Sequence, residues 1–351
     1  MTSLNRRDFL KASVLGGVAI SLPENRKWTW PANPSNNSDP ARVAITTGDH
    51  RARMVFDALK PFSGQIKKAI GNKRILIKPN NVSIDRQLAA THVDTIEGIL
   101  EFLKSIGKTE NVIIAESAAG GATFNGFENF GYFGLEKKYK VKFVDLDQEK
   151  NEVVRVFDEK DFRPHAVRTS SLMLDPDTYL ISSARMKTHD RVLATLSLKN
   201  IVFGSFIKDP GFGWGPNRKE GTRNDKPIAH GSGYRAINYN LFTLARILHP
   251  HLAVIDGFDG MEGNGPGNGT PVDHRICVAS TDWLAADRVG IELMGIDFAN
   301  VGYLNYCTEA GLGVGDMNKI EIVGEQLQSH IRPYKLSDNL EKQLIWKQPV
   351  G

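Results

Sequence analysis

Four stretches of this sequence place charged and amide side chains directly after short apolar runs. Lys78-Pro79-Asn80-Asn81 follows Ile75-Leu76-Ile77, and Glu116-Ser117, with Gly120-Gly121, follows Ile113-Ile114-Ala115. Arg185-Met186-Lys187-Thr188-His189 follows Ile181-Ser182-Ser183-Ala184, and Asp256, with Asp259, Glu262 and Asn264 beyond it, follows Val254-Ile255. In an open α/β sheet, ligands bind outside the carboxyl ends of the strands. If the apolar runs are strands, these groups meet at one edge.

The cations Lys78, Arg185 and Lys187, with His189, point to an anion such as a carboxylate or phosphate. Thr195, Ser197, Lys199 and Asn200 extend that pattern. A helix expected over residues 194–203 would put Thr195 and Lys199 on one face and offer free backbone N–H groups near Ala194 to an anion. Asn80, Asn264 and Gly265 join this anion- or cofactor-binding set. Glu116, Asp256 and Glu262 read as hard-metal ligands, as general bases or as ion-pair partners of the lysines. His92, in Thr91-His92-Val93-Asp94, and His189 add imidazoles that ligate transition metals or move protons. The resulting assignment gives catalytic roles to Glu116, Lys187, His189 and Asp256, and a metal, if a divalent one is bound, to His92 and Glu262. Singly, each lysine reads equally well as a solvated charge and each histidine as a hydrogen-bonded one. Their joint placement after strands sets them apart.

Several signatures are missing. There is no Gly-x-x-x-x-Gly-Lys-[Ser/Thr] loop, no Gly-x-Ser-x-Gly elbow and no His-Glu-x-x-His helix. The runs Gly263-Asn264-Gly265-Pro266-Gly267 and Gly211-Phe212-Gly213-Trp214-Gly215 miss the dinucleotide-binding spacing. Nucleoside triphosphatase, Rossmann dehydrogenase, serine hydrolase and zincin chemistry all lose support.

The elements that would carry these residues alternate. Residues 42–45, 74–77, 111–115, 141–144, 177–184, 252–256, 275–280 and 319–323 read as strands. Residues 95–106, with Asp94 as cap and Gly107 as stop, and residues 127–139, 194–203, 237–248 and 281–295 read as helices. Strand, helix, strand implies a mostly parallel sheet with right-handed crossovers and helices on both faces. Seven glycines between 204 and 233 and six between 257 and 271 mark two long loops at the strand C-terminal edge. The expected organisation is a signal region over 1–30, a linker over 31–40, one composite α/β domain over 41–335 and a tail over 336–351.

The chain has 351 residues, 41% hydrophobic and 24% charged, enough for a large core without disulfide or metal staples. Its +4 charge is too weak and dispersed to imply nucleic acid as a partner. Cys277 and Cys307 alone cannot hold an iron–sulfur cluster, so none is expected. The start, Asn5-Arg6-Arg7-Asp8-Phe9-Leu10-Lys11 before an apolar run from Ala12 to Leu22, reads as a twin-arginine export signal. That run is too short to span a bilayer of about 30 Å, so no stable membrane span is expected after export. The reading predicts a periplasmic or exported protein, with the twin-arginine translocase as a transient partner. Arg6, Arg7, Lys11, Arg26 and Lys27 outweigh Asp8 and Glu24 in this region, so most of the net charge belongs to the leader.

Several motifs recur in one order: Ile77-Lys78-Pro79-Asn80, Thr91-His92, Lys187-Thr188-His189 leading to Thr195 through Asn200, and Gly257 to Pro266. With Ala279-Ser280 through Asp287 and Gly311-Leu312-Gly313, the chain resembles the domain-of-unknown-function family 362 over residues 74–325. The resemblance implies an α/β domain in one unit. Many members of that family also carry a ferredoxin-like cysteine-rich segment, which this chain lacks.

Two functions from different classes fit. One is an exported metal- or cofactor-dependent enzyme acting on a small anionic molecule at the strand ends. The other is a non-catalytic periplasmic binding protein for an anionic metabolite or glycan, with the aromatic loop from Phe206 to Trp214 as its platform. An accessory protein docking onto an exported redox partner is a third, with no positive feature behind it.

Overall fold

The computed structural model describes residues 40–212 and 219–349. The expected export signal, over residues 1–30, and Trp214 lie outside the described residues. Eleven strands are present among those described: β1 (Ala41–Thr47), β2 (Arg74–Lys78), β3 (Val112–Glu116), β4 (Val141–Asp145), β5 (Asn151–Phe157), β6 (Pro164–Ser170), β7 (Thr178–His189), β8 (Leu193–Thr195), β9 (Leu252–Glu262), β10 (Thr270–Ser280) and β11 (Ile320–Gly324). The main sheet runs β11-β1-β10-β9-β7-β2-β3-β4, with β8 paired to β7; β5 and β6 form a separate hairpin. All neighbours along the main path are parallel except for the two pairings of β10, so β10 alone runs against the rest of that path.

The central strands are apolar because both of their faces are covered. β7 is buried at every position. On one face lie α1 (Arg51–Leu59), α2 (Ser63–Ile70) and α3 (Val93–Ser105), which bury Met54, Val55, Ile66, Ile96 and Ile99 against Ile75, Ile77 and Val254. On the other lie α4 (Ser197–Gly204), α5 (Tyr234–Ala245), α6 (Trp283–Leu293) and α7 (Gly302–Glu309), which bury Leu198, Ile201, Leu241, Leu284 and Leu304 against Leu76, Leu180 and Ile255. This is the α/β architecture that the alternating pattern predicts. The connection from β2 to β3 runs through α3, and that from β7 to β9 through α4 and α5, on opposite faces. Neighbouring β2 and β7 therefore send their chains apart, which opens a crevice at their carboxyl ends.

Four local expectations change. Residues 193–195 are not helical: they form β8, with Thr195 opposite Lys187 on β7. Helix α4 starts only at Ser197, because the buried Asp287 carboxylate of α6 accepts the Ser197 and Leu198 N–H groups at 2.7 and 3.0 Å. Thr195 and Lys199 thus do not share a helix face. The second glycine-rich stretch is mostly strand, since β9 continues through Glu262 and β10 begins at Thr270. Helix α3 is capped by His92, whose Nδ1 accepts the Asp94 N–H at 3.2 Å, and not by Asp94. Residues 127–139 are split, with a helix over Thr123–Asn129 and a 3-10 turn over Tyr132–Lys137 joined through Gly131 at φ 74°.

The segment after residue 335 packs on the body. Gln343 Oε1 accepts the Leu193 N–H at 2.7 Å, and Trp346 Nε1 donates to the Asn300 carbonyl at 3.0 Å. No helix among the described residues is long and apolar enough to cross a membrane.

Candidate functional site

The crevice between β2 and β7 widens into a cavity of about 580 Å³. The ends of β2, β3 and β7 form its floor, α4 and residues 226–232 one side, and Lys160 of the β5–β6 hairpin another. Lys78, Asn80, Glu116, His189, Thr195 and Lys199, all singled out in the sequence, line it together.

Lys78 and Glu116 form the floor. Both are buried, and Lys78 Nζ lies 2.5 Å from Glu116 Oε1. The carboxylate also accepts the Ser117 N–H at Oε1 and the Asn81 N–H at Oε2, at 2.8 and 2.9 Å. Burial pulls the Lys78 ammonium down from its ordinary range while Glu116 pulls it back up. Asn200 braces the pair: its Oδ1 accepts from Lys78 Nζ at 3.3 Å and from Asn80 Nδ2 at 3.0 Å, and its Nδ2 donates to the Lys78 carbonyl and Ser182 Oγ. Gly204, at the end of α4, closes over the amine. A Cβ there would stand 2.2 Å from Lys78 Nζ, so any side chain would push the ion pair apart.

The walls are basic. Among the described lining residues, Lys78, Lys160, Arg191, Lys199 and Lys226 face only Glu116 and Asp190 as acids. Lys199 has no hydrogen bond or ion pair among the described residues, and its Nζ sits 5.2 Å from the Phe203 ring centroid. Burial lowers it to about 7, with Asp190 acting in the opposite direction. Lys226 Nζ donates to the Phe206 carbonyl at 2.5 Å and the Phe203 carbonyl at 3.4 Å, and burial lowers it to about 7 as well. Asp147 and Glu116 act on Lys226 in the opposite direction, as Asp190 does on Lys199, but neither amine has a carboxylate within ion-pair distance among the described residues, so burial outweighs them.

Two imidazoles complete the wall. His189 Nδ1 accepts the Arg191 N–H at 3.0 Å, and His230 Nδ1 lies 2.7 Å from the Lys226 carbonyl. The first contact leaves the ring proton of neutral His189 on Nε2; the second places that of His230 on Nδ1 and frees Nε2 as an acceptor. Their rings stack at 6.4 Å. Burial, followed by the charge of Lys199, holds His189 well below its ordinary range and His230 at about 3, so both stay neutral.

Three polar atoms on the lining are buried without partners: Asn80 Oδ1, Asn81 Nδ2 and Thr195 Oγ1. Buried polar atoms are nearly always hydrogen-bonded, so three orphans around one cavity mark where a ligand or water bonds.

The remaining expected residues lie elsewhere. Lys187 is buried beside the cavity and donates to the Ala89 carbonyl at 3.1 Å; burial, then Lys199 and Arg185, drives it well below the ordinary lysine range. Ser197 lies at the start of α4, whose first N–H groups are already taken by Asp287. Asp256 faces α1 and α3, where Arg51 Nε lies 3.2 Å from its Oδ2 and Thr95 Oγ1 donates at 2.7 Å. Glu262 Oε2 accepts the Lys335 N–H, and Asn264 Oδ1 accepts from Ser337 and Asp338, so both fasten residues 335–338. Gly265 lets the chain pass Thr188, where a Cβ would stand 2.1 Å from the carbonyl oxygen. His92 caps α3, so it and Glu262 belong to different local structures. Among the described residues no group of three or more His, Cys, Asp or Glu side chains is arranged to hold a metal ion.

Lys226, His230, Phe203 and Lys160 were not anticipated. Lys226 and His230 sit inside the first glycine-rich stretch, where Asp225-Lys226-Pro227 opens a one-turn helix over Lys226–Ala229 that puts both on the cavity. Phe206, expected as part of an aromatic platform, is fully buried in the core, and Phe203 supplies the aromatic face beside Lys199 instead. Cys277 and Cys307 are both buried and free.

The protein is thus of the α/β class, with a basic, partly unsatisfied cavity over the switch between β2 and β7. Residues 75–292 match the family described as "Domain of unknown function (DUF362)", and the chain belongs to that family. It is 24% identical over 245 residues to a thylakoid-associated protein of Synechocystis sp., a stretch covering 69% of this chain and 70% of that protein. No solved structure matches it.

Proposed function

We propose that this protein is an enzyme that binds a small anionic molecule, carrying a carboxylate or phosphate, in the cavity over β2, β3 and β7. The observation that carries the reading is the pair of buried amines, Lys199 and Lys226, without a carboxylate within ion-pair distance among the described residues. An anion entering the cavity supplies that missing charge, and Thr195 and Asn81 have unused donors for it. The neutral imidazoles of His189 and His230 and the Lys78–Glu116 pair lie on the same walls, so proton donors and acceptors surround the bound molecule. The site is built on amines rather than on a carboxylate cluster, and the reading needs no metal. Export by the twin-arginine route belongs to the same proposal and rests on Arg6-Arg7 with the apolar run behind them.

Titration calorimetry with inorganic phosphate and with malonate tests the binding. Saturable binding that weakens with salt and falls about ten- to a hundredfold in Lys226→Met is expected; no saturable binding to the wild-type chain would refute the reading. Turnover across a panel of small carboxylates and phosphate esters separates an enzyme from a binding protein. Replacing Arg6 and Arg7 by lysine should retain the protein in the cytoplasm, as followed by cell fractionation.

A further inference from the structure

Lys199 differs from every other cation on the cavity wall. Lys78 is ion-paired to Glu116, and Lys226 donates to two carbonyl oxygens. Lys160 and Arg191 come from the hairpin tip and the turn after β7. Lys199 projects from the middle of the first turns of α4 with no acceptor, beside only an aromatic face. The groups that act on it electrostatically from the surrounding elements are Asp190 in the turn after β7, Lys187 and His189 on β7, and His230. Of these four, Lys187 is the one other amine, the two imidazoles are neutral and just one group is an acid. A buried amine beside another lysine, on an apolar surface and with no hydrogen-bond acceptor, is the arrangement that frees a lysine lone pair for attack on a carbonyl.

We propose that Lys199 is a Schiff-base-forming amine, and that the cavity takes a small carbonyl compound carrying a carboxylate or phosphate group. The inference rests on the anion-binding reading above and names the substrate class for it. Lys226 and Arg191 hold the anionic group, and Lys199 Nζ attacks the carbonyl carbon. The C–N bond forms and the C–O bond breaks. The carbonyl oxygen leaves as water with the two amine hydrogens, so no oxidant or reductant is consumed. His189, with its ring proton on Nε2, and His230, with Nε2 free to accept, stand on the same wall to relay those hydrogens through the carbinolamine. The lowered affinity of Lys199 for protons, to about 7, is consistent with the role but follows from the same burial.

The test is reductive trapping. The full chain is incubated at pH 7 with cyanoborohydride and either pyruvate, a carboxylate carbonyl compound, or pyridoxal 5′-phosphate, a phosphate-bearing one. Peptide mass spectrometry then locates the adduct. Labelling of Lys199 at least about tenfold faster than of exposed lysines is expected, given how few ordinary lysines are deprotonated at that pH. It should be abolished in Lys199→Arg and slowed by excess inorganic phosphate. The faster probe tells whether a carboxylate or a phosphate is preferred. Labelling spread over surface lysines with Lys199 unmodified overturns the proposal. If phosphate still binds by calorimetry in that case, the anion reading stands and only the amine chemistry falls; if phosphate binding is also absent, both fall.

Discussion

Two buried polar clusters lie at the same edge of the main sheet, and they have opposite character. Over β9, Asp256 is held by Arg51, Thr95 and the Phe258 N–H, while Arg185 donates to the Ala90 and Asp259 carbonyls. Burial alone would raise the Asp256 carboxyl, but Arg185 and Arg51 outweigh it and hold the group below its usual range. Arg51 and Arg275 also flank the Phe258 ring at 4.4 and 4.2 Å. Over β2 and β7, by contrast, Lys199 and Lys226 have no carboxylate within ion-pair distance among the described residues, and three polar atoms lack partners around an open cavity. Charge at a strand end is therefore not what makes a site. In the first cluster donors and acceptors are matched, which fixes α1 and α3 to the sheet; in the second they are not.

The largest effect expected from this contrast is on stability. Asp256→Ala leaves Arg185 without its nearest carboxylate and Arg51 with Asp259 alone, and should cost about 3–5 kcal/mol in urea unfolding. The milder Asp256→Asn variant should still bind phosphate normally per folded molecule. Loss of binding in that folded variant would mean that the two clusters are one site.

Next comes affinity. Lys226→Met should weaken phosphate or malonate about ten- to a hundredfold, as expected for a lost charge-assisted hydrogen bond. Its thermal midpoint should stay level or rise, because a desolvated amine is removed. A fall in stability comparable to that of Asp256→Ala would mark Lys226 as structural.

The open cluster also predicts a pH signature. Lys199 and Lys226, at about 7, keep fewer protons in the folded chain than in the unfolded one between pH 7 and the ordinary lysine range. Their contribution to stability thus rises with pH over that interval and is lost as pH falls through 7. Asp287, raised by burial to about 7, works on the other side: the folded chain holds its proton between the ordinary carboxylate range and pH 7, so stability falls as pH rises there. Neutral His189 and His230 oppose Asp287 below the ordinary imidazole range, because the folded chain holds fewer of their protons than the unfolded one. Above pH 7 the unfolding free energy of the ligand-free protein should therefore rise toward the ordinary lysine range. Lys199→Met combined with Lys226→Met should reduce that rise, and Asp287→Asn should make stability climb more steeply with pH below 7; a profile that none of these changes would contradict the assignment.

The smallest effect is at Thr195. Its hydroxyl has no partner among the described residues, so Thr195→Val should leave stability unchanged. Phosphate binding should weaken about fivefold, the worth of about one neutral hydrogen bond. An unchanged affinity would remove Thr195 from the ligand's surroundings.

The parallel strands were legible because burial on both faces makes them apolar without interruption, as in Ile75-Leu76-Ile77 and Val112-Ile113-Ile114-Ala115. Through them, the candidates Lys78, Asn80, Glu116 and His189 could be placed at one sheet edge from the sequence, whereas Thr195 and Lys199 were placed there through an expected helix. The start of α4 was not legible, since Leu193-Ala194-Thr195-Leu196 is as apolar as a helix and its boundary is set by Asp287, which is 90 residues away from Ser197 along the chain. Asp256 carried the same local signature as Lys78. Its partners Arg51 and Thr95 are 205 and 161 residues distant, so only the folded chain shows that it is satisfied. Lys226 and His230 follow no strand at all, and the return of the glycine-rich stretch over the sheet brings them in.

The hairpin β5–β6 contributes Lys160 to the cavity but no strand to the main sheet. Its tip is pinned by Glu159, whose Oε2 accepts the Arg235 and Ala236 N–H groups at 2.8 and 3.0 Å at the start of α5, and its stem by Asn240, which bonds both backbone groups of Phe157. The mouth of the cavity and its floor are thus separate heritable parts. Divergent descendants of this fold could exchange residues 160–163 for a new selectivity while keeping Glu159 as the anchor and leaving the amines beneath untouched.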